Sequence, residues 1–142
     1  MRKKVSVQFH FLAHCTLPNR EGLKKFILSI FKKEKKILED LTIVFCSDEY
    51  LLSLNRQFLN HDFYTDILSF PLSGLNQSLI AEIYISVDRV RENAKNSGIP
   101  IKEELHRVIF HGILHFCGYK DKSGPDIKKM RFLEDKYLNA YL

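Results

Sequence analysis

Apolar and polar positions change rhythm several times along this chain, and each rhythm predicts an element. Val5, Val7, Phe9 and Phe11 alternate with Ser6, Gln8 and His10. Period two predicts a strand over Val5–Phe11 with one buried face. Leu23, Phe26, Ile27, Ile30 and Phe31 then recur at helical spacing, after Asn19, a capping residue placed just before Arg20. Leu41–Cys46, with Thr42-Ile43-Val44-Phe45 at its centre, predicts a buried strand. Ser47 caps a second helix with Asp48 and Glu49 in its first turn, where the helix dipole favours acids. Its expected inner face is Leu51, Leu54 and Phe58, and Asn60-His61-Asp62 breaks it. Thr65–Phe70 predicts a strand closed by Pro71, and residues 72–78 a loop. In Leu79–Ser86, Ile83 and Ile85 oppose Glu82, Tyr84 and Ser86, so a fourth strand follows. Ser86 caps a third helix ending at Gly98, Pro100 with Glu103 and Glu104 opens a fourth, and Pro125 opens the last, with Met130, Leu133, Tyr137 and Tyr141 facing in.

Four strands and about five helices in the order β-α-β-α-β-β-α-α-α predict an α+β fold: a small, mostly four-stranded mixed sheet packed with helices. The first two strands have a helix between them and are expected to be parallel; the third and fourth, joined by a loop, antiparallel. With 142 residues and no repeat, low-complexity segment or linker, residues 1–142 are expected to form one domain. The fourth helix carries Val108, Ile109, Phe110, Ile113, Leu114, Phe116 and Cys117 and has few polar faces, so it should be the central buried one.

That helix also carries the candidate chemistry. His111 and His115 lie four apart in His111-Gly112-Ile113-Leu114-His115. On a helix this spacing overshoots a full turn by about 40°, so both imidazoles leave from one face. Gly118 offers a stop, because glycine takes a left-handed C-terminal conformation without strain. Past it the chain can double back and bring Asp121 to the two rings. Three nitrogen and oxygen ligands with a fourth position left for water describe a catalytic zinc site with one Zn2+ per chain. Cys117, about 240° round the helix from His111, is expected to be a small buried hydrophobe instead. His106, about 220° round from His111, is a poor ligand candidate, whereas His61 remains an alternative third ligand to Asp121.

Composition narrows the picture. The hydrophobic fraction is 45%, ordinary for a chain with a real core. No run approaches the ~18 consecutive apolar residues of a membrane span. The start, Met1-Arg2-Lys3-Lys4-Val5-Ser6-Val7-Gln8, is basic but lacks the apolar core of a signal peptide. The three cysteines, Cys15, Cys46 and Cys117, are odd in number and scattered, which points to free thiols in a reducing cytoplasm. A formal charge of +5 is compatible with a polyanionic partner but is equally that of a solvated lysine-rich surface. Lys24, Lys25, Lys32, Lys33, Lys35 and Lys36 read as the solvated flank of the first helix.

His-x-x-x-His-x-x-Gly-x-x-Asp resembles the long zinc motif of metzincin-type peptidases, a zincin-like metal helix, but departs from it at Gly112. Those enzymes carry Glu there as general base. The stretch more closely resembles the signature of the YbeY family of bacterial metal-dependent endoribonucleases, His-Gly-x-Leu-His-x-x-Gly-Tyr with a third ligand a few residues on. That third ligand is commonly His in the family and is Asp121 here. Leu54-Asn55-Arg56-Gln57-Phe58 with Tyr64-Thr65-Asp66-Ile67-Leu68-Ser69-Phe70-Pro71, and Ile80-Ala81-Glu82-Ile83-Tyr84-Ile85-Ser86, are similar to two further family signatures. The family usually has Arg where Leu59 stands. Arg56, three residues earlier, shares a helix flank with Leu59. With Lys120 it is a candidate to contact the nucleic acid.

The resemblance implies cleavage of single-stranded RNA, a role in 3′-end maturation of 16S ribosomal RNA and in late small-subunit quality control, and a zinc-activated water or the RNA 2′-hydroxyl as nucleophile. It also implies that the small ribosomal subunit is a partner. No residue is singled out as general base. Two rival classes stay open: a zinc-dependent peptidase or amidase, and a non-catalytic ribosome-assembly factor with structural zinc.

Overall fold

The computed structural model describes residues 4–142; of the basic start discussed above, residues 1–3 lie outside it. Four strands form one sheet in the order β1-β2-β4-β3. They are β1 (Ser6–Phe11), β2 (Leu38–Cys46), β3 (Ile67–Pro71) and β4 (Leu79–Ser86). β1 and β4 run parallel to β2, and β3 runs antiparallel to β4, so the fold is α+β with a mixed sheet. Five helices accompany it: α1 (Arg20–Lys33), α2 (Asp48–Leu59), α3 (Val87–Ser97), α4 (Ile101–Phe116) and α5 (Gly124–Tyr141).

One face of the sheet carries the main core, and the other is covered where α2 lies on it, while Gln8 and His10 of β1 stay exposed. Leu41, Ile43 and Phe45 of β2 and Ala81, Ile83 and Ile85 of β4 point into the main core with Ile109, Ile113 and Leu114 of α4. Cys46 and Leu68 point the other way and meet Leu51 of α2, with Phe70 and Tyr84 beside them. This is the alternation of faces that period two requires of a strand. α4 is central as expected: Leu105, Val108, Ile109, Phe110, Ile113 and Leu114 are all buried.

Several sequence expectations shift by a few residues, each for a physical reason. β2 begins at Leu38 rather than Leu41, because Asp40 pairs with both Ser6 and Ile80 and an irregularity lies between Leu38 and Asp40. β3 covers Ile67–Pro71 rather than Thr65–Phe70. Pro71 ends the strand as expected but belongs to it, opposite Ala81, since β3 is an edge strand and tolerates a residue without an N–H donor. The inner face of α2 is Leu51, Leu52 and Asn55, whereas Phe58 is 59% exposed and meets Phe70 edge-on. The caps hold as expected: Asn19, Ser47 and Ser86 each accept a backbone N–H of the first turn. Among the described residues no helix is long and apolar enough to cross a membrane.

Candidate metal and nuclease site

α4 presents His111 and His115 from one face, and the turn after it brings Asp121 back to them. Gly118 makes that turn with φ +100, a conformation open to glycine. The segment is then pinned. The Tyr119 hydroxyl donates to Glu34 at 2.6 Å, and the Tyr137 hydroxyl donates to the other oxygen of the same carboxylate at 2.5 Å. Glu34 thus ties the end of α1 to this turn and to α5.

The three donor atoms converge. His111 Nε2 and His115 Nε2 are 2.9 Å apart, and Asp121 Oδ2 is 3.3 Å from the first and 3.4 Å from the second. Among the described residues these three form the one His/Cys/Asp/Glu group placed to hold a metal ion. His61 lies outside it, stacked on Phe63, and His106 is fully buried with its Nδ1 on the Lys102 carbonyl.

The outward-facing ring nitrogens explain what the inward ones present. His111 Nδ1 is 2.7 Å from Glu134 Oε2, and His115 Nδ1 is 2.9 Å from the Tyr119 carbonyl. A carbonyl or a carboxylate can only accept, so each Nδ1 is the donor and each neutral ring turns its Nε2 lone pair inward. Two lone pairs and a carboxylate oxygen then face one another with no donor between them. Only a proton or a cation reconciles such a group. The two His–Asp edges also match the ~3.3 Å edge of a tetrahedron built on zinc–ligand bonds of about 2.0–2.1 Å. Carboxylate and carbonyl partners on the far ring nitrogens are the usual support of metal-binding histidines. The donor set therefore fits a zinc-like ion.

A cavity of about 420 Å³ opens beside these donors, lined among others by Asp66, Glu104, Arg107, His111, Arg131 and Glu134. Glu134 is only 5% exposed and accepts from Arg107 at 3.2 Å, and Arg107 also bonds Asp135 at 2.9 Å. Burial pushes the Asp66 carboxyl above its ordinary range despite the nearby His111. Burial likewise raises Glu104, and the Asp66 charge adds to it. Burial opposes charge on His111, but the hydrogen bond and charge of Glu134, helped by Asp121 and Asp66, leave it above its ordinary value.

Asp66, Glu104, Arg107, Arg131 and Glu134 were not singled out from sequence as site residues. Glu134 carried a signal: Met130, Leu133, Glu134 and Tyr137 follow i, i+3, i+4, i+7, which puts an acid on the buried stripe of α5. Glu104 likewise precedes His111 by seven residues, two turns along the same face of α4. Arg56 and Lys120 do not line the cavity. Arg56 sits exposed on α2, paired with Asp62, and Lys120 is exposed beside Asp121. Cys117 is half-buried at the C-cap of α4 rather than fully buried, and burial pushes its thiol up to about 12.

Gly112 faces away from the cavity. A Cβ there would meet Ile67 Cδ1 at 2.7 Å and Ile83 Cδ1 at 3.1 Å. The position that holds the base in zinc peptidases is here the contact at which α4 presses on β3 and β4.

The family model for "Endoribonuclease YbeY" matches residues 15–142. The chain is 47% identical to the Endoribonuclease YbeY of Flavobacterium psychrophilum over 135 residues, 95% of this chain and 96% of that relative. It is 46% identical to the Endoribonuclease YbeY of Cytophaga hutchinsonii over 123 residues, 87% of this chain and 86% of that one. The solution structure of TM1509 from Thermotoga maritima resembles it with a TM-score of 0.64 and 28% identity, covering 94% of this chain and 87% of that structure.

Proposed function

The chain belongs to the Endoribonuclease YbeY family, and on that basis we propose that it is a metal-dependent endoribonuclease that hydrolyses phosphodiester bonds of single-stranded RNA at the cavity beside His111. The observation that supports the site is the convergence of His111 Nε2, His115 Nε2 and Asp121 Oδ2 as three acceptors with no donor among them. We assign these three residues as ligands of one Zn2+ ion per chain. When bound, such an ion supplies Lewis acidity towards a phosphoryl oxygen and lowers the pKa of a water towards about 7.

The remaining work falls to the chain itself. Glu134 and the Tyr119 carbonyl fix the tautomer and orientation of the two imidazoles. Asp66 and Glu104, whose carboxyls burial raises above their ordinary range, are the groups of the cavity we assign to take and return a proton. Arg131, 62% exposed at its side chain, lines the cavity with a single 3.5 Å contact to Glu134 and can meet phosphate charge, whereas Arg107 is held by both Glu134 and Asp135. Lys120 and Arg56 would serve strand positions further out.

As the biological substrate we propose the 3′ end of 16S ribosomal RNA on the small ribosomal subunit, in the cytoplasm; this part rests on the family resemblance. The nucleophile is either a water or the RNA 2′-hydroxyl, and a 2′-deoxy nucleotide at the scissile position tells them apart. The test of the whole reading is incubation of the purified protein with unstructured RNA and with casein, with and without a chelator. Chelator-sensitive RNA cleavage with intact casein is expected. RNA bound but never cut in single turnover would make it an assembly factor, and casein cleavage without RNA cleavage would make it a peptidase.

A further inference from the structure

α2 and β3 are joined by residues 60–66, and this seven-residue connection carries three rings: His61, Phe63 and Tyr64. None of them turns inward. Phe63 is 55% exposed and Tyr64 46%, and His61 is exposed as well. Burying these rings would gain free energy, so their exposure needs a reason.

The rings are nevertheless held in place. Asn60 takes the left-handed conformation at the end of α2, and the His61 N–H donates to the Asn55 carbonyl at 3.1 Å. Asn55, 1% exposed, donates through Nδ2 to the Phe63 carbonyl at 3.0 Å. The His61 and Phe63 rings lie parallel within 22°, with centroids 5.1 Å apart. The Tyr64 hydroxyl donates to Glu49 at 2.6 Å, and the Arg89 guanidinium lies 5.4 Å from its ring centre.

The nearby cations are matched by acids. Arg56 pairs with Asp62, and Arg89 with Asp48. A surface of fixed flat rings with its charges already paired suits the faces of nucleobases better than a phosphate chain. The chain also leads directly from these rings to the cavity. Two residues after Tyr64 comes Asp66, which lines it, and the next residue, Ile67, lies where α4 packs at Gly112, beside His111.

We propose that Phe63 and Tyr64, with His61 behind Phe63, form a stacking subsite for unpaired nucleobases of an RNA strand whose backbone enters the cavity at Asp66. This rests on the assignment of RNA as substrate. Stacking supplies base-face affinity without sequence preference, and it requires bases that are not already paired. It would therefore favour single strands over duplexes.

The test is equilibrium binding of a short unpaired RNA carrying 2-aminopurine, whose fluorescence is quenched when it stacks. Wild type, Phe63→Leu, Tyr64→Leu and Tyr64→Phe are compared, each with a thermal melt to verify folding. Leucine keeps apolar bulk and removes the flat ring; Tyr64→Phe keeps the ring and loses the Glu49 bond. Each leucine variant should bind about 5- to 150-fold more weakly with less quenching, and Tyr64→Phe should stay close to wild type. The same variants should bind a fully paired duplex as wild type does. If wild type binds and cuts RNA while folded leucine variants bind it equally tightly, the subsite is refuted and the rings serve a protein partner. If wild type neither binds nor cuts RNA, the assignment of RNA as substrate fails, and the subsite fails with it.

Discussion

Glu134 offers the sharpest test of how the candidate site is held. Its Oε2 accepts from His111 Nδ1 at 2.7 Å, its Oε1 accepts from Arg107 at 3.2 Å, and it is 5% exposed. Glu134→Ala strips His111 of the partner that sets its tautomer, so the imidazole is free to rotate or to carry its proton on Nε2, the atom a metal needs. Loss of such an outer partner costs about 10- to 100-fold in metal affinity. The stability loss should be about 2 kcal/mol, below the ~3–5 kcal/mol of a broken buried ion pair, because Arg107 keeps its 2.9 Å contact with Asp135. Glu134→Gln leaves an amide oxygen that can still accept from Nδ1, so its loss of zinc affinity should be about tenfold or less. Asp135→Ala removes the other partner of Arg107 without touching His111 and should leave zinc affinity within twofold of wild type. Competition against a zinc indicator measures all three, with thermal melts alongside. If Glu134→Ala melts cooperatively yet binds zinc as wild type does, the orienting role is wrong.

Four further outcomes follow from the geometry. Gly112→Glu should destabilise the fold by about 3 kcal/mol or more, because its Cβ would press on Ile67 and Ile83 and its carboxylate would enter the core; casein assays should stay blank, and a stable, proteolytic variant would contradict this. Asp121→Ala should lose zinc affinity strongly, Asp121→Asn less so, and Asp121→His should retain it while moving the acidic limb of the pH–rate profile to lower pH, since the site gains one positive charge. His61→Ala should bind zinc as wild type; a large loss there with none in Asp121→Ala would transfer the third ligand to His61. Asp66 and Glu104 are raised by burial, so in the metal-free protein each costs stability once ionised. Below the unfolded-state values of about 4 both states are protonated and the cost is absent; it grows as pH rises towards the folded values and persists above them. Glu104→Gln should therefore melt higher than wild type at pH 7 and equally at pH 3, and an advantage unchanged between the two pH values would refute the assignment.

The architecture was legible because it follows from period and capping, which are local. The alternation in β1 and β4 and the stripe of α1 needed no tertiary information. So were the two histidines, since a spacing of four fixes their common face. What sequence could not supply was anything decided by the partner across a gap. Glu134 meets His111 from 23 residues away because α5 packs on α4. Phe58 reads as inward at helical spacing, yet Leu52 and Asn55 take the buried face of α2 because the turn before β3 needs Asn55 to bond the Phe63 carbonyl. Asp66 stood inside a recognisable stretch, but its importance comes from burial beside His111, which no local pattern encodes.

α4 shows why such a site belongs on a central helix and not on a loop. Its one side, Ile109, Gly112 and Ile113, is fixed against β3, β4 and the main core, and the missing side chain at Gly112 lets the backbone come close. That close approach sets the rotation of the helix, and rotation sets where Glu104, His111 and His115 point. Because position 112 faces the sheet and not the cavity, no side chain placed there would reach the site as a base. Asp66 and Glu104 line the cavity beside α5, where burial raises both carboxyls and makes their ionisation costly. Buried acids with raised pKa values beside three converging acceptors are the kind of cluster in which functional sites are found.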